Sequence, residues 1–195
     1  MPEDLDRLAA GTPARSSGGL ELPVKAANVM GDASVRPAAR VVLLDPADAV
    51  LLMSGQDPRR RQGPRFWFVP GGGAEPGEDI RDAARREVCE EVGGRLGDLG
   101  PVVWYRHTRF AFDGRRYDQH ESFFVVRTER FTVRPTALTE LEQRAVTGSR
   151  WWPLAELAAA TAAAAGAEIV YPPQLAPLIQ AWVASGPPAT PLSIA

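Results

Sequence analysis

Residues 72–94 read GGAEPGEDIRDAARREVCEEVGG, a glycine-rich segment that leads into a charged helical pattern. The pattern predicts a helix from about Asp79 to Val92, and Gly93-Gly94 is a common stop signal just past a helix C-terminus. The glycines at the start allow backbone groups to come close to a phosphate or a metal ion. The stretch therefore predicts a tight loop that leads directly into a helix.

Three glutamates share one face of this predicted helix. Because an α-helix advances about 100° per residue, Glu87, Glu90 and Glu91 lie within an arc of about 100°. Carboxylates at these spacings repel one another, and a divalent cation would turn the repulsion into attraction. Oxygen ligands favour hard ions, so Mg²⁺ or Mn²⁺ is the expected cofactor. The alternative is an acidic face exposed to solvent, which three glutamates alone would favour.

The only cysteine, Cys89, lies on the other side of the helix, about 150° from the centre of the acidic arc. We therefore predict that it is a spectator and not a nucleophile. A single cysteine also excludes an intramolecular disulfide framework and a cysteine-based zinc cluster.

The combined spacing of glycines and charges resembles the motif of the Nudix hydrolase family, G-x5-E-x7-R-E-U-x-E-E-x-G-U, where U is a bulky apolar residue. The matching positions are Gly72, Glu78, Arg86, Glu87, Val88, Glu90, Glu91 and Gly93. Gly94 departs from the motif, because an apolar side chain is expected there. The resemblance covers about residues 36–160 and implies an α/β fold, a mixed-sheet α/β/α sandwich of the Nudix type.

The resemblance implies a metal site on the helix. Glu87 and Glu91 would be the principal ligands, and Glu90 would be a further ligand or a base that orients water. The backbone carbonyl of Gly72 would complete part of the metal shell. Water would then attack phosphorus in a diphosphate linkage, with metal ions neutralising the phosphate oxygens.

The other motif residues would support that site. By resemblance, Arg86 would hold the glutamates in position through charge-assisted hydrogen bonds, and Glu78 would brace the loop. Gly71, Gly72 and Gly73 are candidates for contacting substrate. Arg65, at the end of the basic loop 56–65, is a candidate for contacting phosphate, and a solvated loop is its alternative.

The general base is open, because the family takes it from different places. Glu121 interrupts an otherwise apolar strand and is one candidate. Its alternative is a glutamate on the solvent side of an edge strand. Glu140 and Glu142, in a predicted loop before Arg150-Trp151-Trp152, are the other candidates.

The rest of the chain alternates strand and helix patterns. Strands are expected at 38–44, 49–53, 66–69, 102–112 and 120–128, with a hairpin turn at Asp113-Gly114, and helices at 153–165 and around 175–183. We expect an N-terminal extension at 1–35, partly linker-like, and a Nudix hydrolase domain at 36–160. Residues 161–195 would be a C-terminal helix that packs on the domain, followed by a proline-rich tail.

Composition limits the partners. The formal net charge of −2 provides no basic field for nucleic acid. No apolar run reaches membrane-spanning length, and the N-terminal segment lacks a leader pattern, so we expect a cytoplasmic protein without a membrane partner. The expected partner is a small phosphorylated substrate, a nucleotide derivative, and a homodimer is left open.

Taken together, the residues and the resemblance predict a metal-dependent pyrophosphohydrolase that acts on a nucleoside diphosphate derivative. The alternative is a non-catalytic Nudix-like domain that binds or senses a nucleotide. A broken set of acidic residues would favour that alternative, and here the set is intact. The sequence assigns no substrate within the family.

Overall fold

The computed structural model describes residues 35–60, 62–163 and 168–195. In these ranges the strands are β1 (Arg36–Leu44), β2 (Ala49–Gly55), β3 (Phe66–Phe68), β4 (Trp104–Phe112), β5 (Arg115–Arg127), β6 (Val146–Pro153), β7 (Ile169–Tyr171) and β8 (Leu192–Ile194). The helices are α1 (Ile80–Val92), α2 (Glu140–Ala145), α3 (Leu154–Ala162) and α4 (Leu175–Ser185). The predicted extension, apart from its last residue, lies outside the described residues.

The strands form one mixed sheet in the order β7-β3-β2-β1-β5-β4-β8, and β6, which lies off this path, also pairs with β2. β1 and β5 run parallel in the centre, whereas β4 and β5 form the predicted antiparallel hairpin. The hairpin turns at Asp113 and Gly114, both of which have positive φ, as the turn signal predicted. His107 and His120 are direct partners across it.

Helices cover both faces of the sheet. β1 is buried on both sides, because Val42 and Leu44 belong to the core with α3 and α4, whereas Val41 and Leu43 belong to the core with α1. Such continuous apolar runs are typical of strands that are covered on both faces. The architecture confirms the predicted α/β/α sandwich.

The segment after β3 brings the glycine loop to the centre of the sheet. β3 pairs with β2, and the chain then passes onto β1. There the Val41 amide donates to the Pro70 carbonyl (2.8 Å) and the Ala39 amide donates to the Gly72 carbonyl (2.9 Å). The loop is therefore fixed to a central strand immediately before α1 begins.

α1 has the predicted ends. The Asp79 side chain accepts the Arg81 amide as N-cap, and Gly93 closes the helix in the left-handed conformation. A Cβ atom at Gly94 would lie 2.9 Å from a Val88 methyl carbon and 3.1 Å from the Phe131 ring. Val88 and Phe131 therefore leave little space for a side chain at position 94.

Four parts of the chain differ from the predictions, and the longest of them is Val146–Pro153, which forms β6 although no strand was predicted there. Residues 140–145, expected as loop, form α2, which begins with a capping box between Thr139 and Glu142. The proline-rich tail contributes β8, which pairs in parallel with β4. The short strand β7 pairs in parallel with β3. Among the described residues, no helix has both the length and the apolar character needed to cross a membrane.

Candidate metal centre

The acidic face of α1 is its buried face. Glu87 and Glu91 are only 7% and 3% exposed, and they lie on the same side of the helix as Val88 and Val92. Glu90 lies at the edge of this face and is half-buried. The solvated-face alternative is therefore wrong for Glu87 and Glu91.

A third carboxylate joins these two from a distant part of the chain. Oxygen atoms of Glu87, Glu91 and Glu142 all lie within 4.8 Å of one another. Glu142 is in place because α2 precedes β6, which pairs along the whole of β2. One oxygen of Glu142 accepts the Thr139 amide (2.8 Å) in the capping box.

The cluster has too little positive charge around it. Burial raises the pKa of Glu91 to about 8, and the Gly71 amide, which donates to it at 2.7 Å, does not offset this effect. Burial also raises the pKa of Glu87, although the Arg86 guanidinium opposes the rise. Within the described ranges, neither Glu91 nor Glu142 forms an ion pair. Three carboxylates of this kind fit a hard divalent cation such as Mg²⁺ or Mn²⁺.

Arg86 ties the loop to the helix. Its guanidinium makes two hydrogen bonds to Glu78 (2.8 and 2.9 Å), and it also donates to Glu87 (2.9 Å) and Glu90 (3.2 Å). A fifth contact reaches the Gly73 carbonyl at 3.2 Å. The Arg86 side chain holds the pKa of Glu78 at about 2, and Glu78 also accepts the Glu75 amide. This placement fits the bracing role predicted for Glu78.

The glycine loop lies directly against the carboxylates. A Cβ atom on Gly72 would be 2.5 Å from a Glu87 oxygen, so a side chain there would displace the Glu87 carboxylate. Gly71 has φ of 136°, and a Cβ atom on it would be 2.1 Å from the Ala39 carbonyl. The Gly72 carbonyl, predicted as a metal ligand, accepts the Ala39 amide, so only its second lone pair is available to a cation.

The structure separates the candidate bases. Glu142 joins the cluster, whereas Glu140 is exposed on α2. Glu121 is 1% exposed on β5, between β1 and β4, so its solvent-side, edge-strand alternative is wrong. Its two oxygens accept from Arg40 (2.8 Å) and Arg106 (2.7 Å), outside the carboxylate cluster.

Sequence reasoning missed both of these arginines. Arg40 is the one charged side chain in the apolar run 38–44, and a cation inside a buried strand is the signal that could have found it. Two residues singled out in the sequence are exposed: Arg65 in its loop and Cys89 on α1.

Comparison with known proteins agrees with this geometry. The family model described as NUDIX domain matches residues 34–172, so the chain belongs to the Nudix family. The first structural match is the MutT protein from Methanosarcina mazei Go1. It has a TM-score of 0.55 and 16% identity, over 78% of this chain and 96% of that one, and shows the same fold.

Two curated relatives match over shorter stretches. The nucleoside triphosphatase NudI of Escherichia fergusonii is 58% identical over 33 residues, 17% of this chain and 23% of the relative. The diphosphoinositol polyphosphate phosphohydrolase 2 of Rattus norvegicus is 50% identical over 54 residues, 27% of each chain. The matched stretches thus span about a quarter of the length of these two relatives.

Proposed function

We propose that this chain is a metal-dependent pyrophosphohydrolase that cleaves a diphosphate linkage in a nucleoside diphosphate derivative. The observation that carries the proposal is the cluster of Glu87, Glu91 and Glu142, whose carboxylates are brought together beside a glycine loop without enough cations to balance them. A structural role would not require two of these acids to be buried with raised pKa values.

The residues divide into three roles. Glu87, Glu91 and Glu142 would hold Mg²⁺ or Mn²⁺, which when bound neutralises phosphate oxygens and lowers the pKa of a water. Arg86 and Glu78 keep the loop and the helix in register. Gly71, Gly72 and Gly73 are proposed to contact phosphate oxygens, and of the three it is Gly72 whose Cβ atom would meet the Glu87 carboxylate.

The proton acceptor is proposed among the glutamates of the cluster. Glu90 is half-buried at its rim, and Glu142 comes from a separate element and can approach a water from another side. Glu121 is the weaker candidate, because both of its oxygens already accept from arginines. We place the catalytic domain at residues 36–160, with α4 and β8 completing its outer layers.

The substrate is proposed only as a class. The two curated relatives are named for a nucleoside triphosphate and for a diphosphoinositol polyphosphate, and these compounds share a phosphoanhydride. A phosphate-release screen should therefore cover nucleoside triphosphates, nucleotide sugars, ADP-ribose, dinucleoside polyphosphates and diphosphoinositol polyphosphates, each with Mg²⁺ and with chelator.

We expect the protein to turn over at least one compound in the screen, and to need Mg²⁺ for this turnover. Full activity after exhaustive chelation would overturn the metal assignment. Thermal stabilisation by a nucleotide without turnover of any compound would instead support the non-catalytic alternative, a domain that binds or senses its ligand.

A further inference from the structure

We infer that Arg40 is a positioning residue for the carboxylate cluster: held by Glu121, it fixes the backbone of Gly71 and through it the Glu91 carboxylate. The inference rests on the proposed function, because it assigns Arg40 a part in metal binding. Arg40 lies on β1 and contacts none of the three clustered carboxylates by hydrogen bond.

Gly71 is held by side chains on both of its polar groups. Its amide donates to Glu91 Oε2 at 2.7 Å, and its carbonyl accepts from Arg40 Nη1. The carbonyls on either side, of Pro70 and Gly72, accept from backbone amides of β1. Since glycine permits the widest range of backbone conformations, the orientation of Gly71 depends on these contacts. Arg40 therefore helps to determine where the donor to Glu91 points.

Arg40 is itself held rigidly. Its Nε donates to Glu121 Oε1 at 2.8 Å and its Nη2 donates to Gln119 Oε1 at 3.3 Å. The Glu121 side chain is fully buried, and Arg106 fixes its second oxygen at 2.7 Å. A guanidinium presents its donors in a planar fork, so anchoring one edge on Glu121 fixes the direction of the others. The ion pair between Arg40 and Glu121 therefore sets the direction of the Arg40 N–H group that donates to the Gly71 carbonyl.

This arrangement resembles the outer partners of metal ligands in proteins generally. Groups that hydrogen-bond to the ligands set their orientation, and removing them commonly weakens metal binding 10- to 100-fold. Arg40 is not such a group itself, because the direct partner of Glu91 is the Gly71 amide, and Arg40 contacts Gly71. Its positive charge also interacts favourably with ionised Glu91.

The test is Mn²⁺ binding to the full chain, measured by electron paramagnetic resonance titration, with thermal unfolding of the metal-free protein measured in parallel. Arg40→Gln should raise the apparent Mn²⁺ dissociation constant about tenfold. Arg40→Lys keeps the charge but cannot reach Glu121 and Gly71 together, so it should also weaken binding, by less. If Arg40→Gln does not fold, Arg40→Lys carries the test.

Arg130→Gln is the matched control. Arg130 pairs with Asp45, another buried carboxylate, but it does not contact the glycine loop. It should lower thermal stability and leave the Mn²⁺ dissociation constant within about twofold of wild type. Equal loss of Mn²⁺ affinity in Arg130→Gln and Arg40→Gln, or no loss in either Arg40 variant, would overturn the inference while leaving the proposed function intact. A wild type that does not bind Mn²⁺ would overturn both.

Discussion

Glu121 and Glu91 are both buried glutamates, and they differ in what surrounds them. Glu121 is 1% exposed and receives a guanidinium on each oxygen. Glu91 is 3% exposed, receives one backbone amide, and faces two other carboxylates. Burying a charge is costly unless it is paired. The protein meets that requirement internally for Glu121, whereas for Glu91 the proposed metal ion would meet it.

The raised pKa of Glu91 shows how strongly its surroundings disfavour the ionised carboxylate. A rise from 4.5 to about 8 means that the fold disfavours the ionised form of Glu91 relative to the protonated form by roughly 5 kcal/mol, at about 1.4 kcal/mol per pKa unit. The comparison therefore separates Glu121, which is paired within the protein, from Glu91, whose counter-charge is proposed to be a bound cation.

The largest expected effect is on turnover. Glu91→Gln and Glu87→Gln keep the shape of the side chain but remove the charge that a divalent ion needs, so kcat/KM should fall about 100-fold or more. The metal-free variants should unfold at the same temperature as wild type or higher, because repulsion is relieved. The measurement is steady-state kinetics on a substrate from the screen. Normal turnover of Glu91→Gln would remove the distinction between the two glutamates.

The same substitution at Glu121 should act on stability instead. Glu121→Gln leaves two partly buried arginines, Arg40 and Arg106, without their shared counter-charge, and breaking a buried pair in this way commonly costs about 3–5 kcal/mol. Urea unfolding of the metal-free protein measures this cost. A loss below about 1 kcal/mol would show that the arginines find other partners and that Glu121 is not the structural member of the pair.

Added Mg²⁺ should stabilise the folded protein, and only through the cluster that contains Glu91. By mass action, Mg²⁺ at 100 times its dissociation constant should add about 2.7 kcal/mol to the free energy of unfolding of wild type. Glu91→Gln should gain less, and chelator should reverse the gain in wild type. Thermal unfolding at a series of Mg²⁺ concentrations checks both statements. An equal gain in the variant and in wild type would place the ion elsewhere on the protein.

The local features of the site could be predicted from the sequence alone. The ends of α1 follow from Asp79 and Gly93, and the shared face of the glutamates follows from helical geometry. Whether that face points into the protein or towards solvent could not be predicted from the sequence. Ala83 and Ala84, one turn before the glutamates, are fully buried against the sheet, where their small size lets α1 approach closely.

The non-local contacts could not be predicted. Glu142 reaches the cluster through the pairing of β2 with β6, and Arg40 reaches Glu121 through the parallel register of β1 with β5. Neither of these strand registers can be predicted from a short sequence motif. A local signal for α2 was present, because Thr139 and Glu142 have the spacing of a capping box.

Asp45 extends the comparison to pH. Burial tends to raise its pKa, but hydrogen bonds from the Ala49 amide, the Arg130 side chain and the Ala47 amide outweigh burial and lower it. A lowered pKa means that the stabilisation is complete above the ordinary value of about 3.9 and is lost as the pH falls through the folded-state pKa.

Asp45→Asn should therefore destabilise the protein at pH 7, by about 1–3 kcal/mol, and the gap to wild type should narrow below about pH 4. Thermal unfolding of both proteins across this range is the measurement. A gap that is constant with pH would mean that hydrogen bonding, and not charge, accounts for the contribution of Asp45.

The smallest expected effect is at Cys89, which lies on α1 between Val88 and Glu90 but on the exposed side of the helix. Cys89→Ser changes one atom on the helix that carries Glu87 and Glu91, and it touches neither the cluster nor the core. Turnover, Mg²⁺ stabilisation and unfolding temperature should all stay close to those of wild type, since exposed substitutions commonly change stability by less than about 0.5 kcal/mol. The variant is thus the matched control for Glu91→Gln on the same helix. A folded but inactive Cys89→Ser would show that the chemistry depends on more of α1 than its buried face.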